Sequence, residues 1–178
     1  MKNVLIISTS FRKGGNSESL AEEFARGAQE SGNKVEKVYL RDKNIGFCKG
    51  CLACVNTNRC VIKDDAAAIF KKMMVSDVIV FGAPAYFYSC PAQLKALFDR
   101  SVVIYPNLIN KQYYYLLVQA DENKEMFAGT IKSLDGFLDC YEGSKLKGMV
   151  AAPGFYEKGS IKDSKYITQA YKLGLKVK

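Results

Sequence analysis

Residues 4–17 read Val4-Leu5-Ile6-Ile7-Ser8-Thr9-Ser10-Phe11-Arg12-Lys13-Gly14-Gly15-Asn16-Ser17 and predict a strand, a polar loop and the start of a helix. The apolar run at the front is typical of a parallel strand that is buried on both faces. The helix that follows presents unpaired N–H groups and the positive end of its dipole at its N-terminus. Both features favour an anion at that point.

The polar loop predicts a phosphate site because several kinds of hydrogen-bond donor converge in ten residues. Hydroxyls and an amide donate to phosphate oxygens, arginine can donate two hydrogen bonds at once, and glycine lets the backbone approach closely. An ordinary polar loop with a helix N-cap would use some of the same residue types. The candidate phosphate ligands are Ser8, Ser10, Arg12, Gly15, Asn16 and Ser17.

Strand-like and helix-like patterns alternate along the rest of the chain. Apolar runs predict strands over 3–8, 34–40, 77–82, 113–119 and 146–152. Helical spacing predicts helices over 17–31, 123–141 and 163–173, and two more that begin at Asp64 or Asp65 and at Pro91. This alternation predicts an α/β fold, with one domain over residues 1–178 and a five-stranded parallel sheet in the order 2-1-3-4-5 with helices on both faces.

A second informative loop follows the third predicted strand and reads Gly82-Ala83-Pro84-Ala85-Tyr86-Phe87-Tyr88-Ser89-Cys90-Pro91. In such sheets ligands bind outside the carboxyl ends of the strands, where the strand order reverses, so this loop lies beside the phosphate loop. Three consecutive aromatics would border a flat ring or, alternatively, cover a helix end. A phosphate loop beside a ring-binding loop predicts flavin mononucleotide (FMN).

The irregular connection over 41–63 holds four of the six cysteines, spaced Cys-x2-Cys-x2-Cys-x5-Cys. Such a spacing can wrap a 4Fe–4S cluster, with the fourth cysteine as the closing ligand. Unliganded thiols in a structured loop, a zinc site and a disulfide are the alternatives. The candidate cluster ligands are Cys48, Cys51, Cys54 and Cys60.

The composition excludes several classes of protein. The chain has no histidine, which excludes Ser-His-Asp and Cys-His catalysis and histidine metal ligands, so a cofactor is expected to carry any chemistry. The net charge is +8, but the lysines are scattered and no nucleic-acid motif is present, so no nucleic-acid partner is expected. The longest apolar stretch, 78–88, is too short to span a bilayer, and the N-terminus lacks a signal-peptide pattern. We therefore expect a cytoplasmic protein with no membrane partner.

These motifs together resemble the NADPH-dependent FMN reductase family of the flavodoxin-like superfamily, and more narrowly its branch of iron–sulfur flavoproteins. The resemblance rests on Ser-x-Ser-x-Arg-x-x-Gly-Asn-Ser over 8–17, on Gly-x-Pro-x-Tyr-Phe-x-Ser and the residues that follow it over 82–100, and on the cysteine motif with the Val61-Ile62-Lys63-Asp64-Asp65 after it. It implies a flavodoxin-like three-layer sandwich that binds FMN, with NAD(P)H as a transient co-substrate. It also implies that Ser10, Arg12, Asn16 and Ser17 hold the phosphate, that segments near 119–121 and 153–154 complete the pocket, and that the protein is a homodimer or homotetramer. The residues that it implies along the flavin ring are Pro84, Ala85, Tyr86, Phe87 and Tyr88.

The leading functional hypothesis is an FMN-dependent oxidoreductase that passes electrons from NAD(P)H through the flavin to a small acceptor such as a quinone or a free flavin. No catalytic acid or base is required of the protein, which would bind and orient the reactants. The alternative is an iron–sulfur flavoprotein that moves electrons between a ferredoxin-like donor, a 4Fe–4S cluster and FMN. A third hypothesis is a non-catalytic redox sensor that signals through the cysteine loop.

Overall fold

The computed structural model describes all 178 residues and places five parallel strands in one sheet. The strands are β1 (Asn3–Ser8), β2 (Lys34–Tyr39), β3 (Val78–Pro84), β4 (Gln112–Val118) and β5 (Lys145–Ala152). Their order is β2-β1-β3-β4-β5, which confirms the predicted sheet. Each predicted strand end lies within two residues of the observed one.

Six α-helices connect and cover the strands. They are α1 (Asn16–Glu30), α2 (Ala53–Thr57), α3 (Ala66–Val75), α4 (Ala92–Arg100), α5 (Ala128–Leu138) and α6 (Lys165–Leu175). The longest, α1, has 15 residues. None of the helices combines the length and the apolar content that crossing a membrane requires.

The sheet separates two cores because successive side chains of a strand point to opposite faces. On β1, Val4 and Ile6 pack with α1 and α6, whereas Leu5 and Ile7 pack with α3, α4 and α5. β1 and β3 are buried along almost their whole length, as their continuous apolar sequences predict. The result is the three-layer α/β sandwich that the sequence indicates.

Helices α1 and α6 pack with their backbones in contact. A Cβ atom on Gly27 of α1 would overlap the carbonyl oxygen of Tyr171 in α6, and one on Gly174 of α6 would overlap that of Phe24 in α1. Two hydrogen bonds extend this contact, from Ser31 Oγ to the Leu175 carbonyl at 2.8 Å and from Asn33 Nδ2 to the Val177 carbonyl at 2.9 Å. These contacts hold α6 and the residues after it against α1.

The structure differs from the sequence predictions at three connections. The helix predicted over 123–141 begins as a 3₁₀ helix, Lys124–Phe127, because the Asn123 side chain accepts from the N–H of Glu125 and caps a tight first turn. A second 3₁₀ helix, Ser101–Asn107, extends α4. The short α2 inside the cysteine loop was not predicted, and residues in the left-handed conformation flank it at both ends, Leu52 and Asn58.

Candidate functional site

The carboxyl ends of β1 and β3 lie side by side, with Ser8 paired to Gly82 in register. This register places the phosphate loop, residues 8–17, beside the aromatic loop, residues 84–91. The carboxyl ends of β4 and β5 continue the same edge, since Pro84 pairs with Val118 and Val118 with Ala152. The two loops that the sequence singles out therefore meet at the edge where the strand order reverses.

The N-terminus of α1 is open to an anion. The backbone N–H groups of Asn16, Ser17 and Glu18 donate to no group of the protein. Gly15 precedes them, and a Cβ there would lie 2.8 Å from the carbonyl oxygen of Arg12, so only glycine fits the bend that aims these groups outward. Gly14 adopts φ +67°, which glycine tolerates without strain.

The loop hydroxyls differ in how they are used. Ser17 is 2 % exposed, lines the cleft and makes no hydrogen bond to the protein. Ser10 Oγ accepts from the N–H of Arg12 at 3.2 Å and so shapes the loop. Ser8 ends β1, does not line the cleft, and has a buried Oγ without a partner. Ser17 thus has the hydroxyl that is best placed for a ligand.

The one acidic side chain in the first turn of α1 is neutralised. Glu18 is buried, and the guanidinium of Arg41 contacts both of its carboxylate oxygens, at 2.5 and 3.3 Å. The hydrogen bond to Glu18 raises the pKa of Arg41 further above its usual value. The Glu18 carboxylate also accepts from the N–H of Gly14 at 3.0 Å. Its negative charge is therefore balanced where it would otherwise repel an anion.

Asn16 contacts the segment after β5 and not open space. Its Nδ2 donates to the carbonyl of Glu157 at 2.8 Å and approaches that of Phe155 at 3.4 Å, and its Oδ1 accepts from the N–H of Ile161 at 3.4 Å. Arg12 contacts the same segment, with Nη1 donating to the carbonyl of Tyr156 at 3.0 Å and the guanidinium 5.5 Å from the centre of the Tyr156 ring. Both of these predicted phosphate ligands thus hold the segment over 153–161.

This segment lines the cleft with residues that the sequence predictions missed. Phe155, Tyr156 and Lys158 lie on the cleft wall, whereas the resemblance pointed only to 153–154. Two aromatics and a lysine directly after the fifth strand were the available signal, because ligands of parallel sheets bind at that edge.

The aromatic loop forms a tight two-residue turn. Tyr86 and Ser89 exchange backbone hydrogen bonds of 3.0 Å, and the turn residues Phe87 and Tyr88 adopt φ +48° and +57°. Such angles are strained for residues other than glycine, and such strain clusters at functional sites. Phe87 is fully exposed, while the Tyr88 hydroxyl donates to Asp121 Oδ2 at 2.9 Å, which raises the pKa of Tyr88. Of the five predicted ring-binding residues, Tyr88 alone does not line the cleft.

The two loops enclose a cleft of about 800 Å³, including the part open to solvent. Its predicted lining residues are Ser10, Arg12, Gly15, Asn16, Ser17, Pro84, Ala85, Tyr86 and Phe87. Gln119 also lines it, and its Nε2 donates to the carbonyls of Asp121 and Asn123 at 3.1 and 2.7 Å. Because both partners are acceptors, the amide orientation is fixed, and the buried Oε1 is left without a partner.

The four loop cysteines line a different, smaller pocket. Cys48, Cys51, Cys54 and Cys60 surround a pocket of about 440 Å³, including the part open to solvent, that shares no lining residue with the cleft. All six cysteines of the chain are free. No group of three or more histidine, cysteine, aspartate or glutamate side chains is arranged to hold a metal ion. The cysteines are gathered in one place, but not in the geometry of a metal site.

A buried ion pair anchors this cysteine pocket. The side chains of Arg100 and Asp64 are 1 % and 4 % exposed, and they are joined at 2.7 Å. Arg100 also donates to the carbonyls of Gly46 and Ile62, at both ends of the cysteine loop. Burial alone would raise the pKa of Asp64, but the bonds from Arg100 and from the N–H groups of Gly46 and Ala66 outweigh it and hold that pKa below its usual value. Arg100 lines the pocket, and its buried Nε lacks a partner.

Comparison with known protein families gives a match over most of the chain. The family described as NADPH-dependent FMN reductase matches residues 2–152. An iron–sulfur flavoprotein of Methanosarcina thermophila is 43 % identical over 98 residues, which are 55 % of this chain and 51 % of that protein. An FMN-dependent NADH:quinone oxidoreductase of Pseudoalteromonas atlantica is 33 % identical over 110 residues, 56 % of this chain and 54 % of that protein. The chain spans about half the length of these curated relatives.

Solved structures agree on the architecture. An NAD(P)H:quinone oxidoreductase from Methanothermobacter marburgensis superimposes with a TM-score of 0.77 and 14 % identity, over 99 % of both chains. An azoreductase from Bacillus anthracis superimposes with a TM-score of 0.71 and 16 % identity, over 99 % of this chain and 98 % of its own. At these identities the agreement concerns the fold, which is flavodoxin-like.

Proposed function

Since this chain belongs to the NADPH-dependent FMN reductase family, whose model spans residues 2–152, we propose that it is an FMN-dependent oxidoreductase that takes electrons from NAD(P)H. The proposed acceptor is a small molecule such as a quinone or a free flavin. The quinone oxidoreductase among the relatives supports an acceptor of this kind.

The observation that carries the proposal is the single cleft that joins the phosphate loop to the aromatic loop. At one end lie the unpaired N–H groups of the first turn of α1 and the free hydroxyl of Ser17, which suit a phosphate. At the other end lie Pro84, Ala85 and the rings of Tyr86 and Phe87, which suit a flat aromatic system. The distribution of polar and apolar groups along the cleft therefore fits FMN.

The unpaired Oε1 of Gln119 is a further argument for a ligand of this kind. A buried acceptor without a partner costs on the order of 1–3 kcal/mol. FMN carries ribityl hydroxyls and an imide N–H, all of which can donate to such an oxygen. Binding would then satisfy an atom that the protein leaves unpaired.

When bound, FMN would supply the redox chemistry, by accepting a hydride from a reduced nicotinamide and passing two electrons to the acceptor. The residues of this chain bind and orient. Tyr86 and Phe87 border the cleft and are exposed to solvent, so a nicotinamide or an acceptor could approach the ring beside them. No side chain at the cleft needs to act as an acid or a base, consistent with a chain that has no histidine.

The direct test is anaerobic reduction. We expect the protein purified with FMN, or the apoprotein reconstituted with it, to lose its visible flavin absorbance on addition of NADPH or NADH. Absorbance should return when a quinone is added. A flavin that stays oxidised with both nicotinamides would disprove the reductase function, and a protein that does not bind FMN would disprove the cofactor.

A second candidate function is that of an iron–sulfur flavoprotein, and the gathering of the four cysteines in one pocket favours it. The Methanosarcina relative carries that name. The thiols are not arranged as metal ligands in this structure, so a cluster would require the loop to rearrange. Iron and acid-labile sulfide should then be found after anaerobic purification and be lost when the four cysteines are replaced by serine. Their absence from the anaerobically purified protein would exclude this function. The ferredoxin-like donor and the homodimer or homotetramer stay predictions.

A further inference from the structure

We propose that Lys158 binds the FMN phosphate and that Asn16 is a positioning residue that holds the segment carrying it. The inference rests on the proposed function, because it concerns how the same cleft recognises its cofactor. We call residues 153–161 the closing segment. It begins where the match to the family ends, at residue 152, so the match does not describe it.

Lys158 lies close to the phosphate loop. It lines the cleft, and its Cε lies 3.5 Å from the point that a Cβ on Gly14 would occupy. Gly14 has no side chain and a left-handed backbone, which leaves room for the lysine stem. Lys158 forms no ion pair, so its charge is available to an anion at the N-terminus of α1.

The charged groups around the phosphate loop would not fully balance a bound phosphate without Lys158. A phosphate monoester carries about −1.5 to −2 charges at neutral pH. Arg12 also lines the cleft, but its Nη1 already donates to the Tyr156 carbonyl, so fewer of its N–H groups are free for a phosphate. Glu18 adds no free negative charge, because Arg41 pairs with it. Lys158 therefore adds the positive charge that Arg12 and the helix N-terminus do not supply to the phosphate.

Asn16 keeps the closing segment in place. Its amide bonds to backbone groups of Phe155, Glu157 and Ile161, and its Nδ2 lies 3.5 Å from Ser160 Oγ. With these contacts made, its side chain has no spare donor for a phosphate. The Asn16 side chain therefore contributes to the site by placing Lys158. Its backbone N–H remains unpaired and can donate to the phosphate directly.

The test compares two flavins that differ by the phosphate alone. Affinities of the apoprotein for FMN and for riboflavin are measured by quenching of flavin fluorescence, for the parent protein, Lys158→Met and Lys162→Met. Lys162 is exposed in the following turn and does not line the cleft. Lys162→Met therefore lowers the net charge by the same amount as Lys158→Met, but away from the proposed phosphate site. We expect Lys158→Met to weaken FMN binding by about tenfold, the size of one charge-assisted hydrogen bond, and to leave riboflavin binding unchanged.

The outcomes separate the inference from the proposed function. If the parent protein binds FMN and Lys158→Met binds it as tightly as Lys162→Met does, the phosphate contact is disproved and the cofactor stands. If the loss is equal for FMN and riboflavin, Lys158 does not act on the phosphate. If the parent protein binds neither flavin, the proposed function itself fails.

A double-mutant cycle tests the role of Asn16. Once Asn16→Ala has released the closing segment, Lys158→Met should cost little more, so the two losses should not add. Additive losses would show that Asn16 acts on FMN independently of Lys158. The unfolding temperature of each apoprotein identifies a variant that has simply failed to fold. Since Lys158 is exposed, the single lysine variant should unfold like its Lys162 control.

Discussion

Arg41 holds both carboxylate oxygens of Glu18 within the first turn of the helix that presents its free N–H groups to the cleft. The pair joins the segment after β2 to the first turn of α1, although 23 residues separate its members. An acidic residue at a helix N-terminus stabilises the helix but repels an anionic ligand. Arg41 balances the charge of Glu18 and so reduces this repulsion.

Replacing Arg41 by methionine should weaken FMN binding by roughly tenfold, because the buried Glu18 carboxylate then faces the phosphate without a counter-charge. Riboflavin, which lacks the phosphate, should bind as before. Fluorescence titration of both flavins measures the effect. Lys37→Met is the matched control, since it removes one charge from an exposed pair with Glu22 on the same helix. Equal FMN affinities for the two variants would contradict the role given to Arg41.

The contact between α1 and α6 predicts that alanine is not tolerated at Gly174. The added methyl group would overlap the carbonyl oxygen of Phe24, so the helices must separate. We expect a loss of about 1–3 kcal/mol in the free energy of unfolding, as for other overpacked sites, measured by urea denaturation.

Gly136→Ala is the control for that change. Gly136 also lies inside a helix, but nothing is within 4 Å of the Cβ position. Alanine should there raise the free energy of unfolding by about 0.5–1 kcal/mol, through helix propensity. If both variants changed the free energy of unfolding in the same direction, packing would not distinguish the two sites.

The pair of Asp64 and Arg100 predicts an acid-labile cysteine loop. Because the folded state holds the pKa of Asp64 below its usual 3.8, ionised Asp64 stabilises the fold above that pH. This stability is lost as the pH falls below 3.8 towards the folded-state value. Asp64→Asn should remove this part of the pH dependence and, by leaving a buried arginine unpaired, cost on the order of 3–5 kcal/mol at neutral pH.

Urea denaturation at a series of pH values from 7 to 3 measures this difference. Asp99→Asn is the control, because Asp99 pairs with Lys95 at the surface and should change little. If the free energy of unfolding fell with pH equally steeply below pH 4 in Asp64→Asn and in the parent protein, the low pKa of Asp64 would be contradicted.

Phe87 occupies a strained backbone position although its side chain makes no packing contribution. Phe87→Gly should raise the free energy of unfolding by up to about 1 kcal/mol, because glycine adopts φ +48° without strain. The same variant should raise the KM for NAD(P)H or the acceptor, since one ring at the mouth of the cleft is lost. Phe47→Gly, at another exposed phenylalanine but with no left-handed backbone, should give no gain in stability. Denaturation and steady-state kinetics measure the two effects separately.

Local patterns were sufficient to predict the sheet and that the two candidate loops would meet at its edge. The apolar runs in β1 and β3 mark them as central strands buried on both faces, and their pairing brings residues 8–17 beside residues 84–91. The left-handed conformation of Leu52 at the start of α2 could not be predicted, because leucine rarely adopts a positive φ. Asn58 at the other end is of a residue type that adopts it more often, but its identity alone does not show that it does so here.

The role of Asn16 is the clearest case in which the sequence was not enough. As part of a loop it has the chemistry of a phosphate ligand, and the resemblance implies that role. In the structure its side chain bonds to backbone groups some 140 residues away, such as the carbonyl of Glu157, and only the tertiary structure brings them together. Lys158 reaches the cleft through that contact, so the sequence could not place it either.

Because α1 packs closely against α6 and, in the proposed function, binds the FMN phosphate at its N-terminus, the cofactor and the C-terminal segment of the chain would share a single support. A ligand that binds only the folded state adds to its stability in proportion to the logarithm of its concentration. Protein made when flavin is scarce should therefore hold its last helix less firmly and be degraded sooner. The supply of one small molecule would then set how long each copy survives in the cell.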